Sequence, residues 1–120
     1  MSVGADGDIR VHRVVVAVDC GQPLNVLGVE GQVESGVMWG LAAALHTATS
    51  FAGGRAQETS FNDFPIPRIA DAPRIETHIV RGDDRPHGLG EQAVAPVAAA
   101  VFNAVFDATG QRIRRMGRRV

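Results

Sequence analysis

The segment from Val29 to Leu45 constrains this chain more than any other. Val33, Val37 and Leu41 recur every fourth residue, joined by Met38 and Leu45, which is the spacing of one helix face. The opposite side is not polar. Gly31, Ser35, Gly36, Gly40, Ala42, Ala43 and Ala44 fill it with small residues. A helix so composed is predicted to be buried all round, with neighbouring backbones packed close. Glycine costs about 1 kcal/mol per interior helix position relative to alanine, so Gly31, Gly36 and Gly40 need a packing reason. Gln32 and Glu34 sit oddly in such a setting. A buried amide requires partners, either local backbone or a polar ligand.

The chain has little material for that cover. It has 120 residues, 45% of them hydrophobic, which suffices for one domain with a modest core. A strand is predicted over Ile9–Asp19, preceded by an Asp6-Gly7 turn, and its Val14–Val18 run is continuously apolar, the mark of a strand covered on both faces. Asn25 can cap a helical segment. His46–Phe51 and Arg55–Ser60 flank Gly53-Gly54, a hairpin signal. Pro65, Pro67 and Pro73 make Phe61–Pro73 an extended, irregular crossing. Arg74–Val80 alternates as a second strand, with Ile75, Thr77 and Ile79 on one face. Arg81–Gly90 is a polar, Gly-rich loop. Pro96–Thr109 is a helix with rows Val97, Val101, Val105 and Phe102, Phe106, stopped by Gly110. The expected class is α+β, two main helices packed on short strands. A first helix and first strand that want cover on every side point to a piece whose complement is another chain or a further portion of its own.

Composition narrows the function classes. Net charge is −1, and no apolar run is long enough to span a bilayer, so no membrane partner is expected. All 12 basic residues are arginine, and Arg112, Arg114, Arg115, Arg118 and Arg119 crowd the last nine positions. That tail reads as a solvated terminus. One Trp and no Tyr argue against an aromatic nucleic-acid platform, so no nucleic-acid partner is expected. A single cysteine, Cys20, excludes an intrachain disulfide and an iron–sulfur cluster held by this chain alone. His12, His46, His78 and His87 show no metal-binding spacing, and structural or surface roles are expected for them.

The sharpest local motif is Gly88-Leu89-Gly90-Glu91-Gln92-Ala93, a Gly-rich turn feeding a helix. It superficially matches a dinucleotide fingerprint. That fingerprint needs a strand directly before the turn and an acid about 20 residues on. Here seven residues separate Val80 from Gly88, and Asp107 lies inside the helix. Glu91 instead stands at the mouth of a helix, either as an ordinary stabilising carboxylate or as a base presented beside two glycines that let a ligand approach the backbone.

Taken together, Val11 through Gly21, Gly31-Gln32-Val33-Glu34-Ser35-Gly36 through Trp39-Gly40-Leu41, Phe61-Asn62-Asp63-Phe64-Pro65 and Gly88-Leu89-Gly90-Glu91 resemble the C-terminal part of a known subunit. It is the molybdopterin-binding large subunit of the xanthine dehydrogenase/aldehyde oxidase family, nearest the isoquinoline 1-oxidoreductase beta-subunit type. The resemblance runs from about Ser2 to Arg115. Ser35 replaces a usual second glycine, Gln92 a frequent proline, and Gly117–Val120 lacks the usual Leu-Pro ending.

The resemblance implies that residues 1–120 are a C-terminal segment of a molybdopterin-binding domain, incomplete alone. It implies a molybdenum hydroxylase that inserts water-derived oxygen into N-heterocycles or aldehydes. The family's Gly-Glu glutamate falls on Glu91, the general base. Its cofactor-contacting glutamine falls on Gln32. No residue is expected to ligate the metal directly. The cofactor would be molybdopterin in the complete enzyme, with none retained by this chain alone. The partners would be the remainder of the large subunit and a small [2Fe–2S] subunit. Two alternatives stay open: a non-catalytic remnant or assembly module, and a small anion-binding protein using the Gly88–Gly90 turn.

Overall fold

The computed structural model describes residues 1–80, 82 and 84–116, so Arg118, Arg119 and the Gly117–Val120 ending lie outside the described residues. The chain opens with two short antiparallel strands, β1 (Ser2–Val3) and β2 (Ile9–Arg10), joined by a turn with Gly7 at φ 82°. Then come β3 (Arg13–Asp19) and helix α1 (Val26–Leu41). A single π turn, Ala42–His46, follows. The hairpin β4 (Phe51–Ala52) and β5 (Arg55–Ala56), a 3-10 turn Ile69–Asp71, β6 (Arg74–Val80) and helix α2 (Val94–Thr109) complete the order.

Each boundary has a local cause. The Asn25 side chain accepts the Gly28 N–H at 3.0 Å, so α1 starts three residues before its first valine row. The π turn ends where Thr47 donates its N–H to the Ala42 carbonyl at 2.8 Å and its hydroxyl to the same oxygen at 3.1 Å. Because that turn takes His46, the predicted hairpin strands shrink to two residues each around Gly53 (φ 57°) and Gly54 (φ 76°), the left-handed pair of a type I′ turn. Gly110 at φ 75° stops α2. Pro96 falls in the first turn of α2, where its missing N–H breaks no bond.

β3 and β6 pair in parallel from Arg13↔Arg74 to Asp19↔Val80. Val14, Val16 and Val18 share one face with Ile75 and Ile79 and pack against the helices. The core is built almost wholly of valine: Val29, Val33 and Val37 of α1 and Val97, Val101 and Val105 of α2, with Val18, Cys20 and Leu41. Burying such a side chain stabilises by about 1.5–3 kcal/mol.

Two expectations of full cover are corrected. Val15 on the other face of β3 is 50% exposed, and Val80 is equally open, so the strand pair is covered on one face only. Leu27 and Trp39 are 78% and 69% exposed, and Gln32, Glu34 and Ser35 also face solvent, so α1 is not buried all round. The cause is geometric: α2 and the strand pair cover one side of α1, and no described residue covers the other. The accessible surface is 8510 Å², whereas a folded monomer of this mass exposes about 6200 Å². The radius of gyration is 16.3 Å, against about 14 Å for a compact chain of this length. No helix among the described residues is long and apolar enough to cross a membrane.

Candidate functional site

Parallel strands that are each followed by a helix bring the carboxyl ends of the strands and the amino ends of the helices to one edge. In open α/β sheets this is the edge where ligands bind. Glycine fixes how the helices meet there. A Cβ on Gly36 would lie 2.8 Å from the Ala93 Cβ, and one on Gly40 would lie 2.6 Å from the Val97 Cβ. The contacts advance in step along both chains, so α1 and α2 run parallel. These are the packing reasons predicted for Gly36 and Gly40.

Gln32 stands one turn before Gly36 on the same ridge of α1, and Glu91 stands two residues before Ala93. Both therefore precede the Gly36–Ala93 contact along their segments. Both are exposed, and neither side chain has a hydrogen-bond partner among the described residues. The turn bearing Glu91 is held by its backbone. The Glu91 carbonyl accepts the Val94 N–H at 2.9 Å, and the Gln92 side chain donates to the Gly88 carbonyl. α2 begins after Glu91 rather than on it, with Ala93 buried against α1.

The glycines beside these two residues differ from those in the helix contact. At Gly31, Gly88 and Gly90 no described atom lies within 4 Å of a would-be Cβ, and none of the three has a positive φ. Neither conformation nor packing within the described residues requires glycine there. The backbone at this edge is bare.

Other polar features lie elsewhere. Arg13 grips Glu76 with two bonds, Nε to Oε1 at 2.8 Å and Nη2 to Oε2 at 2.6 Å, and Arg74 adds a contact at 3.2 Å. The Arg13 guanidinium holds the Glu76 carboxyl down at about 2. This cluster sits at the opposite, amino end of the strands. An open groove of about 1020 Å³ lies at the carboxyl ends of the helices, with Asp8, His46, Phe102 and Arg112 in its walls; neither Gln32 nor Glu91 lines it. His12 bonds Ser2 at 2.9 Å. Among the described residues no group of three or more His, Cys, Asp or Glu is placed to hold a metal ion. Sequence reasoning missed the crossing of the Cys20-Gly21-Gln22 turn by Asp84–His87, a contact between segments far apart in the chain that no local signal encodes.

Residues 4–73 match the molybdopterin cofactor-binding domain family. The chain belongs to that family, in the branch of xanthine dehydrogenase and aldehyde oxidase large subunits. It is 31% identical, over 93% of its length, to isoquinoline 1-oxidoreductase subunit beta of Brevundimonas diminuta, of which it spans 14%. It is also 31% identical, over 92% of its length, to a Gluconacetobacter polyoxogenes protein named membrane-bound aldehyde dehydrogenase (pyrroloquinoline-quinone), again spanning 14%. Among solved structures, quinoline 2-oxidoreductase from Pseudomonas putida 86 superposes with a TM-score of 0.83 at 28% identity, covering 88% of this chain and 14% of the other. The chain thus spans about one-seventh of the relatives it matches. The α+β fold expected from the residues is that of a piece of this domain.

Proposed function

We propose that this chain forms one wall of a molybdenum hydroxylase site, with Gln32 contacting the pterin–molybdenum group and Glu91 acting as general base. Support for the reading comes from two exposed side chains without a hydrogen-bond partner among the described residues, an amide and a carboxylate, each next to a glycine with open space around it. The residues fit the group. The amide of Gln32 offers two donors and one acceptor to a polar cofactor. Gly88 and Gly90 let a ligand approach the main chain, and Glu91 offers a carboxylate to a proton released during oxidation. When bound, the cofactor supplies the oxidising centre; the chain supplies orientation and the proton acceptor.

The open faces suit a covering partner. Val15 and Val80 on the strands, with Leu27 and Trp39 on α1, leave apolar surface that the remainder of a large subunit would cover. One cysteine cannot hold a cluster, so electrons leave by a route outside this chain; the family resemblance implies a small [2Fe–2S] subunit for it. The substrate class is an N-heterocycle or an aldehyde, following the names of the relatives.

The test is co-expression with the complementary portion of a family large subunit, followed by elemental analysis and hydroxylation assays. Stoichiometric molybdenum with turnover on a heterocycle or aldehyde is the expected result. A stable complex that carries no molybdenum, or carries a quinone instead, contradicts the reading. A complex that assembles fully yet stays inert on both substrate classes would favour a non-catalytic assembly role.

A further inference from the structure

We propose that Gly21 is a positioning residue for Glu91, an inference that rests on the role given to Glu91 above. β3 ends at Asp19, whose carboxylate accepts the Gly21 N–H at 2.9 Å and bends the chain there. Cys20, 2% exposed, anchors the turn in the core. The segment after β6 then crosses this turn. Gln22 donates its N–H to the Asp84 carbonyl at 3.0 Å, and His87 donates its N–H to the Cys20 carbonyl at 2.9 Å. These bonds flank Gly21 on both sides.

No side chain fits between them. A Cβ on Gly21 would stand 2.3 Å from the Arg85 carbonyl oxygen and 3.0 Å from that of Asp84. Both are main-chain atoms and cannot turn aside. Gly21 also has φ +65°, where L side chains are strained. Gly82 mirrors it across the crossing, its would-be Cβ 3.3 Å from Asp19 Oδ1 and 3.6 Å from the Gly21 Cα. From His87 only Gly88, Leu89 and Gly90 lead to Glu91. Glu91 is therefore held between two fixed points. Downstream stands Ala93 in the helix contact; upstream stands the bond from His87 to Cys20. A side chain at position 21 would push the upstream point away and move the turn that presents the carboxylate.

Amide hydrogen exchange on the full chain tests this without cofactor. The Gln22 and His87 amides are expected to be protected like those of the β3–β6 ladder. In Gly21→Ala both lose protection while the Val33, Val37 and Val101 amides keep theirs. Gly54→Ala is the control, since Gly54 has φ +76° with open space around it; it should leave Gln22 and His87 unchanged. Should Gly21→Ala not fold, Gly82→Ala, with its softer clash, is expected to give the same local loss in smaller measure. A His87 amide that exchanges as fast as an open chain in the native protein overturns the proposal. So does continued protection of both amides in either variant.

In the complex completed by co-expression, a misplacement on the scale of 1 Å predicts a roughly 10- to 100-fold fall in kcat for Gly21→Ala, with KM within about twofold. In a Glu91→Gln background the same change should add less than about twofold, because the two act through one group. Equal losses in both backgrounds would mark a merely structural residue and overturn the proposal. Full activity of Glu91→Gln would remove the base assignment, and with it the role of Gly21 in turnover; the exchange data would still show separately whether Gly21 places that turn.

Discussion

At Gly36 and Gly40 the two helices meet so closely that a methyl group would strike Ala93 or Val97; at Gly31, Gly88 and Gly90 no described atom lies within 4 Å of where a methyl group would go. The same residue type thus marks a closed seam and an open edge of one helix pair. In the seam, glycine is explained by contacts inside the chain. At the edge it is not, and the open edge is also where Gln32 and Glu91 lack partners. The contrast separates residues that build the fold from residues left free for something that approaches it.

Substitution breaks or sharpens this contrast. Gly40→Ala should give the largest loss of stability. Its new methyl would meet the Val97 Cβ at 2.6 Å and the Val94 carbonyl at 2.8 Å, and overpacking of this kind costs about 1–3 kcal/mol; urea unfolding of the chain measures it. Gly90→Ala should leave that unfolding curve within about 0.5 kcal/mol. In the completed enzyme the same change is expected to lower molybdenum retention roughly tenfold, the scale of a lost supporting contact. If Gly90→Ala destabilised the chain by itself, the open edge would be structural after all. Gly31→Ala should stabilise, by up to about 1 kcal/mol, since it removes a helix glycine without a clash.

The smallest effect lies at the other end of the strands. Glu76 titrates at about 2 in the folded chain, below its ordinary 4.5, because Arg13 grips it. A lowered carboxyl contributes stability above its unfolded value and loses it as pH falls through the folded one. Stability from this pair should therefore hold above pH 4.5 and decline toward pH 2. Acid unfolding of Glu76→Gln should show a shallower decline over that window, small because the pair is exposed to solvent.

How far the sequence could be read follows the same division. Local signals were legible: Arg74–Val80 is the strand its alternation predicted, Asn25 caps α1, and Gly110 stops α2. The parallel pairing of β3 with β6 was not, because partners such as Val14 and Ile75 lie far apart in the chain and nothing local encodes their register. The cover that Val15 and Trp39 call for is missing among the described residues for a different reason. An apolar run reports the surroundings a segment is suited to, and the described residues supply only part of them. Gln32 and Glu91 were each legible as odd residues. How their segments stand to each other was not, since that depends on Gly36 meeting Ala93 rather than on any spacing between positions 32 and 91.

The central claim is that Glu91 moves a proton while Gln32 holds the cofactor. The most direct test measures molybdenum content and hydroxylation rate on the same samples of the completed enzyme. Glu91→Gln should keep its molybdenum and lose about 100-fold or more in rate. Gln32→Ala should lose molybdenum, with rate falling in proportion. Wild-type turnover by the Glu91→Gln enzyme at full molybdenum content would contradict the account.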